Sequence, residues 1–176
     1  AEADATPSYE TIALLVDDSP VGRAAATTAI TVASATGAKL EPLAVVDNRF
    51  ADAPGLRRAL EAEARGLLKD IAAEAAREAV ESTATVRIGI PAAELLDFAD
   101  ETDADLLVVA TDATRSLDRH LATGVARRIV RRTSVPVLVV PSDSARQHAR
   151  EIVAESPAER HRGETEKREE TDDSVE

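Results

Sequence analysis

The chain lacks cysteine altogether, which removes disulfides, thiolate zinc sites and thiol nucleophiles from consideration. No apolar run approaches the ~20 residues of a membrane-spanning helix, so no membrane insertion is expected. The opening residues Ala1-Glu2-Ala3-Asp4 have neither the basic region nor the apolar stretch of a signal peptide, and a soluble, cytoplasmic protein is the expectation. Lysine is scarce too, standing only at Lys39, Lys69 and Lys167. His120, His148 and His161 are scattered, so no metal site is expected. No Ser/His/Asp arrangement and no Walker-type loop can be found, and no enzymatic activity is expected.

What the chain has in plenty is acid. Its 33 Asp and Glu outnumber 21 Lys and Arg for a formal charge of -12, and the phosphates of a nucleic acid would be repelled. Such a surface repels itself in dilute buffer and is screened in concentrated salt, where the Debye length falls to about 3 Å at 1 M. A salt-adapted protein of the kind found in halophilic archaea is expected.

The 176 residues suit one domain of about 100 to 150 residues with some tail. Residues 1–9 read as a flexible lead-in, 10–141 as the domain and 142–176 as a charged tail whose burial cannot offset the entropy of ordering it; Ala145 to Glu155 could form a helix on a partner. Within the domain, Ile12 to Val16 is an apolar strand. Ser19 and Pro20 then supply a cap oxygen and a first helical residue that needs no N–H, and Gly37 ends that helix. Leu43 to Val46 is a second strand closed by Asp47. Leu56 to Val80 has the apolar spacing of an amphipathic helix. Thr83 to Ile90 is a weaker strand, and Pro91 opens a third helix. Leu106 to Ala110 and Val137 to Val140 are strands apolar enough to be covered on both faces, with a polar loop and a short helix between them. Regular alternation argues an α/β fold, a doubly wound parallel sheet with helices on both faces and right-handed crossovers.

Two resemblances attach to these residues. Leu14 to Pro20 resembles the start of a response-regulator receiver domain, but Val140-Pro141 stands where that family needs a lysine. Nearly the whole domain is similar to the universal stress protein family: Ile12 to Ser19, Leu43 to Asp47, Gly89-Ile90-Pro91-Ala92-Ala93-Glu94-Leu95-Leu96, Asp103 to Val109 and Val135 to Val140 fall in the family's order. The resemblance implies a five-stranded Rossmann-like sheet in the order 3-2-1-4-5, a ligand crevice between the first and fourth strands, and a homodimer through Val135, Val137, Leu138, Val139 and Val140 of the fifth strand. It also implies that a retained nucleotide would meet Asp17, Val45 and Val109 at its adenine and ribose, and the loop and helix start Ala110, Asp112, Ala113, Thr123, Gly124 and Val125 near its phosphates.

At three of those positions the family's nucleotide-binding members carry glycine, and this chain has Ala110, Ala113 and Thr123. Glycine lets backbone N–H groups approach phosphate oxygens and permits positive φ; methyl and branched side chains do neither. Asp112 adds a carboxylate, and unit charges about 4 Å apart at an effective dielectric of about 20 interact by about 4 kcal/mol. Thr123-Gly124-Val125 still opens a helix with free N–H groups, and Gly124 is a candidate for a displaced phosphate glycine. Asp17 reads in this chain as a turn-and-cap residue. Two functions follow: a dimeric binding or interaction module in stress response, without a cofactor, or a member that still takes ATP with magnesium, with slow or no hydrolysis. A third is a soluble regulatory partner of a transporter. Arg115, Arg119, Arg127, Arg128, Arg131 and Arg132 form the one basic concentration. They read either as an anion or partner site or as helix-end cations paired with surface acids; the second is expected.

Overall fold

The apolar runs predicted to be strands are the buried centre of the fold, with Ile12, Ala13, Leu14, Leu107 and Val108 all 0% exposed. The computed structural model describes residues 8–50, 52–111 and 122–142. It contains β1 (Thr11–Leu15), α1 (Pro20–Thr36), β2 (Lys39–Asp47), α2 (Pro54–Arg77), β3 (Thr85–Gly89), α3 (Pro91–Glu101), β4 (Leu106–Thr111), α4 (Ala122–Arg132) and β5 (Val137–Pro141). The strands form one five-stranded sheet in the order β3-β2-β1-β4-β5, every pairing parallel.

Side-chain alternation divides the core between the two faces of the sheet. Ile12 and Leu14 of β1 join Leu40 and Ala44 of β2 and Val108 of β4 under α1 and α2, while Ala13, Leu43, Leu107 and Val109 lie under α3 and α4. Burying both faces is what selects runs of Val, Leu and Ala over a strict apolar-polar alternation. Small residues let α1 sit close to the sheet, since Gly22, Ala25, Ala26, Ala29 and Ala33 make up most of its buried side.

Two boundaries differ from the sequence reading by three residues or more. β2 begins at Lys39, four residues before the expected Leu43, because Glu41 is buried at 5% with its carboxylate 2.5 Å from the Lys39 ammonium. Pro42 is tolerated because its missing donor lies in the gap between the Leu40 to Ser82 bridge and the β2/β3 ladder, which starts at Leu43 and Thr85. α2 ends at Arg77, before the expected Val80, because Ala79 adopts φ 56° and Val80 N–H returns to the Ala75 carbonyl at 2.9 Å. That is a left-handed helix stop made without glycine.

Candidate functional site: an acid-walled crevice at the strand ends

Parallel sheets with helices on both faces open at the carboxyl ends of their strands, near the point where strand order reverses. Here β1 lies between β2 and β4, and the chain leaves β1 through Val16-Asp17-Asp18. The turn is held by Asp17: its Oδ1 accepts from the Ser19 N–H at 3.0 Å and from the Ser19 hydroxyl. Ser19 Oγ in turn accepts from the Gly22 N–H at 3.0 Å and caps α1. Asp17 therefore holds the turn, and the cap itself is Ser19.

A cavity of about 300 Å³ opens beside this turn, between the ends of β1 and β2 and the first half of α2. Its interior is apolar, formed by Val16, Ala44, Val45, Val46, Leu60, Ala64 and Leu67, and four acidic residues, Asp17, Asp18, Asp47 and Glu63, complete the lining. Two of the four are compensated. Arg23 reaches Asp18 at 2.6 Å, and Arg49 reaches Asp47 at 2.8 Å; hydrogen bonds from the Arg49 side chain and backbone hold the Asp47 carboxyl below its usual pKa. Asp17 and Glu63 have no basic partner among the described residues. Asp17 and Glu63 therefore leave the lining with a net negative charge.

The cavity lies on the β2 side of β1, not between β1 and β4 where the resemblance implies the ligand crevice, and among the described residues only two of the sequence-predicted ones line it. Asp17 and Val45 share the cavity wall. Val109 lies on β4 opposite Leu15, but at 1% exposure it is a core residue. Ala110 is half-buried against the α1 side of the core. The backbone of Thr123 and Gly124 belongs to the first turn of α4, and Val125 packs against the core beneath α3 and α4. A Cβ added at Gly124 would meet nothing within 4 Å, so no close approach of other protein atoms requires glycine there. Asp112 and Ala113 lie outside the described residues.

Sequence reasoning missed Asp18, Asp47 and Glu63 as wall residues. Asp47 carried a signal in closing an apolar strand; Glu63 carried none, since an exposed acid on an amphipathic helix is ordinary. Gly22 was also missed, although Asp17 leaves no room for a side chain there.

At the sheet edge, β5 offers less apolar surface than its sequence suggests. Val140 is 3% exposed, Leu138 packs toward α1, and Val135 and Val137 pack toward α3 and α4. Val139 is 37% exposed, and β5 pairs with β4 on one side, leaving a backbone edge on the other. Arg131 and Arg132 do occupy the last turn of α4. The expected pairing of the α4 arginines with surface acids is not found: Arg127, Arg128, Arg131 and Arg132 make no ion pair among the described residues. Two nearby acids on α3, Glu94 and Glu101, are engaged instead by Arg87 of β3. Arg115 and Arg119 lie outside the described residues. No helix among the described residues is long and apolar enough to cross a membrane.

Comparison with known proteins agrees with this architecture. A universal stress protein of Methanocaldococcus jannaschii is 32% identical over 139 residues, covering 75% of this chain and 82% of its own. The structure of universal stress protein UspA from Lactobacillus plantarum is 27% identical with a TM-score of 0.65, over 76% of this chain and 98% of that one. A universal stress protein in complex with cAMP superimposes with a TM-score of 0.60 at 24% identity, over 76% of this chain and 97% of that one. The sequence pattern of the universal stress protein family matches residues 8–141, and the chain belongs to that family.

Proposed function

We propose that this protein is a homodimeric, non-catalytic binding or interaction module of the stress response, whose strand-end cavity does not hold phosphates. The observation that carries this reading is the crevice wall, where Asp17, Asp18, Asp47 and Glu63 surround an apolar interior. Ala110, Ala113 and Thr123 in place of glycine, with Asp112 between them, act in the same direction. The β5 backbone edge, with Val139 exposed beside it, supports pairing with a second copy, because such edges are normally covered or paired. Chemical extraction of protein purified in molar salt tests the ligand claim: nucleotide-free protein is expected, and stoichiometric adenine nucleotide refutes it.

The second reading, binding of ATP with magnesium, is favoured by the shared position of Asp17 and Val45 on one cavity wall. An adenosine moiety could use the apolar interior and Asp17 without its phosphates being held. Parallel titrations with adenosine, cAMP and ATP separate the two readings. Adenosine binding at least as tight as ATP keeps the acidic-wall account, and a clear preference for ATP favours the second reading.

We further propose salt adaptation, supported by the formal charge of -12 and three lysines. Screening of self-repulsion raises Tm between dilute buffer and molar salt; a flat or falling Tm contradicts it.

A further inference from the structure

Helices α3 and α4 lie side by side on one face of the sheet, sharing Leu95, Phe98, Ala99, Ala126 and Ile129 in one apolar layer. Their outer surfaces carry opposite charges. α3 exposes Asp97 and Asp100, and α4 exposes Arg127, Arg128, Arg131 and Arg132. None of these six side chains makes an ion pair among the described residues. Arg23, Arg49, Arg57, Arg65 and Arg87 each hold a carboxylate, while Arg58 and Arg77 of α2, unpaired among the described residues like the α4 arginines, are not clustered. Arg127 with Arg131, and Arg128 with Arg132, are like charges four residues apart and repel each other along the helix.

Of the four acids of α3, Arg87 engages two and leaves Asp97 and Asp100 without an ion pair among the described residues. Glu94 and Glu101 lean toward β3, where Arg87 engages them. At about 100° per residue, Asp97 then points outward, and Asp100 points outward on the side away from β3, where α4 packs. Val130, 53% exposed, adds an apolar contact among the arginines.

We propose that the α3/α4 face is a self-complementary docking surface for a second copy of this chain. A two-fold axis running along the seam between the helices lays the arginines of one copy over Asp97 and Asp100 of its partner, and each contact is made twice. A nucleic acid or a uniformly acidic protein would satisfy the arginines but set like charge against the two aspartates. A second copy satisfies both stripes. The contact is separate from the β5 edge and does not rest on it.

Sedimentation velocity of the full chain tests the proposal, with circular dichroism confirming that each variant is folded. The wild type is expected to associate through this face at about 0.15 M salt, and each variant is compared with it in the same salt. Reversing one stripe, R127E/R131E or D97R/D100R, weakens this association at least about tenfold, since each reversal removes several ion pairs in a two-fold contact. Mixing the two reversed proteins restores it. Reversals without effect, or folded reversed proteins that fail to associate when mixed, each overturn the proposal.

Discussion

A Cβ placed on Gly22 would collide with the Asp17 carboxylate and its carbonyl oxygen and come within 3.1 Å of the Asp17 carbonyl carbon. The first turn of α1 therefore rests directly on the residue that links β1 to the crevice. Gly22→Ala should destabilise the protein by about 1–3 kcal/mol, the usual cost of overpacking against atoms that cannot yield. Gly124→Ala is the control: it meets open space in a helix and should be neutral or stabilising by up to about 1 kcal/mol. Urea midpoints of both variants in the same salt check the pair, and equal effects would contradict the packing account.

Asp105, just before β4, ties that strand to the start of β1. Its carboxylate accepts the Glu10 N–H at 2.8 Å and the Thr11 N–H at 3.1 Å. Asp105→Ala leaves both donors to compete for water at the strand entrance, with an expected loss of about 1–3 kcal/mol. Amide hydrogen exchange at Glu10 and Thr11 should accelerate in the variant by more than at the centre of β2, and a uniform acceleration would argue against a local tie.

Arg87 gives the β3 edge a defined pH response. Its guanidinium lies 5.1 Å from the centre of the Phe98 ring and bonds Glu101, whose carboxyl it holds below its usual pKa. A carboxylate depressed in the folded state contributes stability above its unfolded pKa, near 4.5, and loses it as pH falls through the folded value. Glu101→Gln should therefore be less stable than wild type near neutrality, with the two stability curves converging in acid below pH 4.5. A gap that stays constant from neutral to acid pH would show that the pair acts through packing alone.

Strand and helix order was legible because Ile12 to Val16, Leu106 to Ala110 and Val137 to Val140 are too apolar for anything but a doubly covered sheet. The strand order came from family resemblance, since local pattern says nothing about which strands become neighbours. The start of β2 was hidden because burial of Glu41 depends on Lys39, a compensation that a hydrophobic pattern does not register. The end of α2 was hidden because Ala79 takes a conformation that sequence reasoning assigns to glycine. At the site, Asp17 could be read from Asp17-Asp18-Ser19-Pro20, a turn followed by a cap. The other acids of the wall could not, because Asp47 and Glu63 meet Asp17 only after β1, β2 and α2 have packed.

Calorimetric titration of the purified protein with ATP and magnesium in molar salt bears most directly on the central claim, that the strand-end cavity does not hold phosphates. Four carboxylates on the wall, with Ala110, Ala113 and Thr123 where open glycine backbone would serve, predict no saturable heat below about 1 mM ATP, a binding free energy weaker than about -4 kcal/mol. Stoichiometric binding with a micromolar Kd would contradict it.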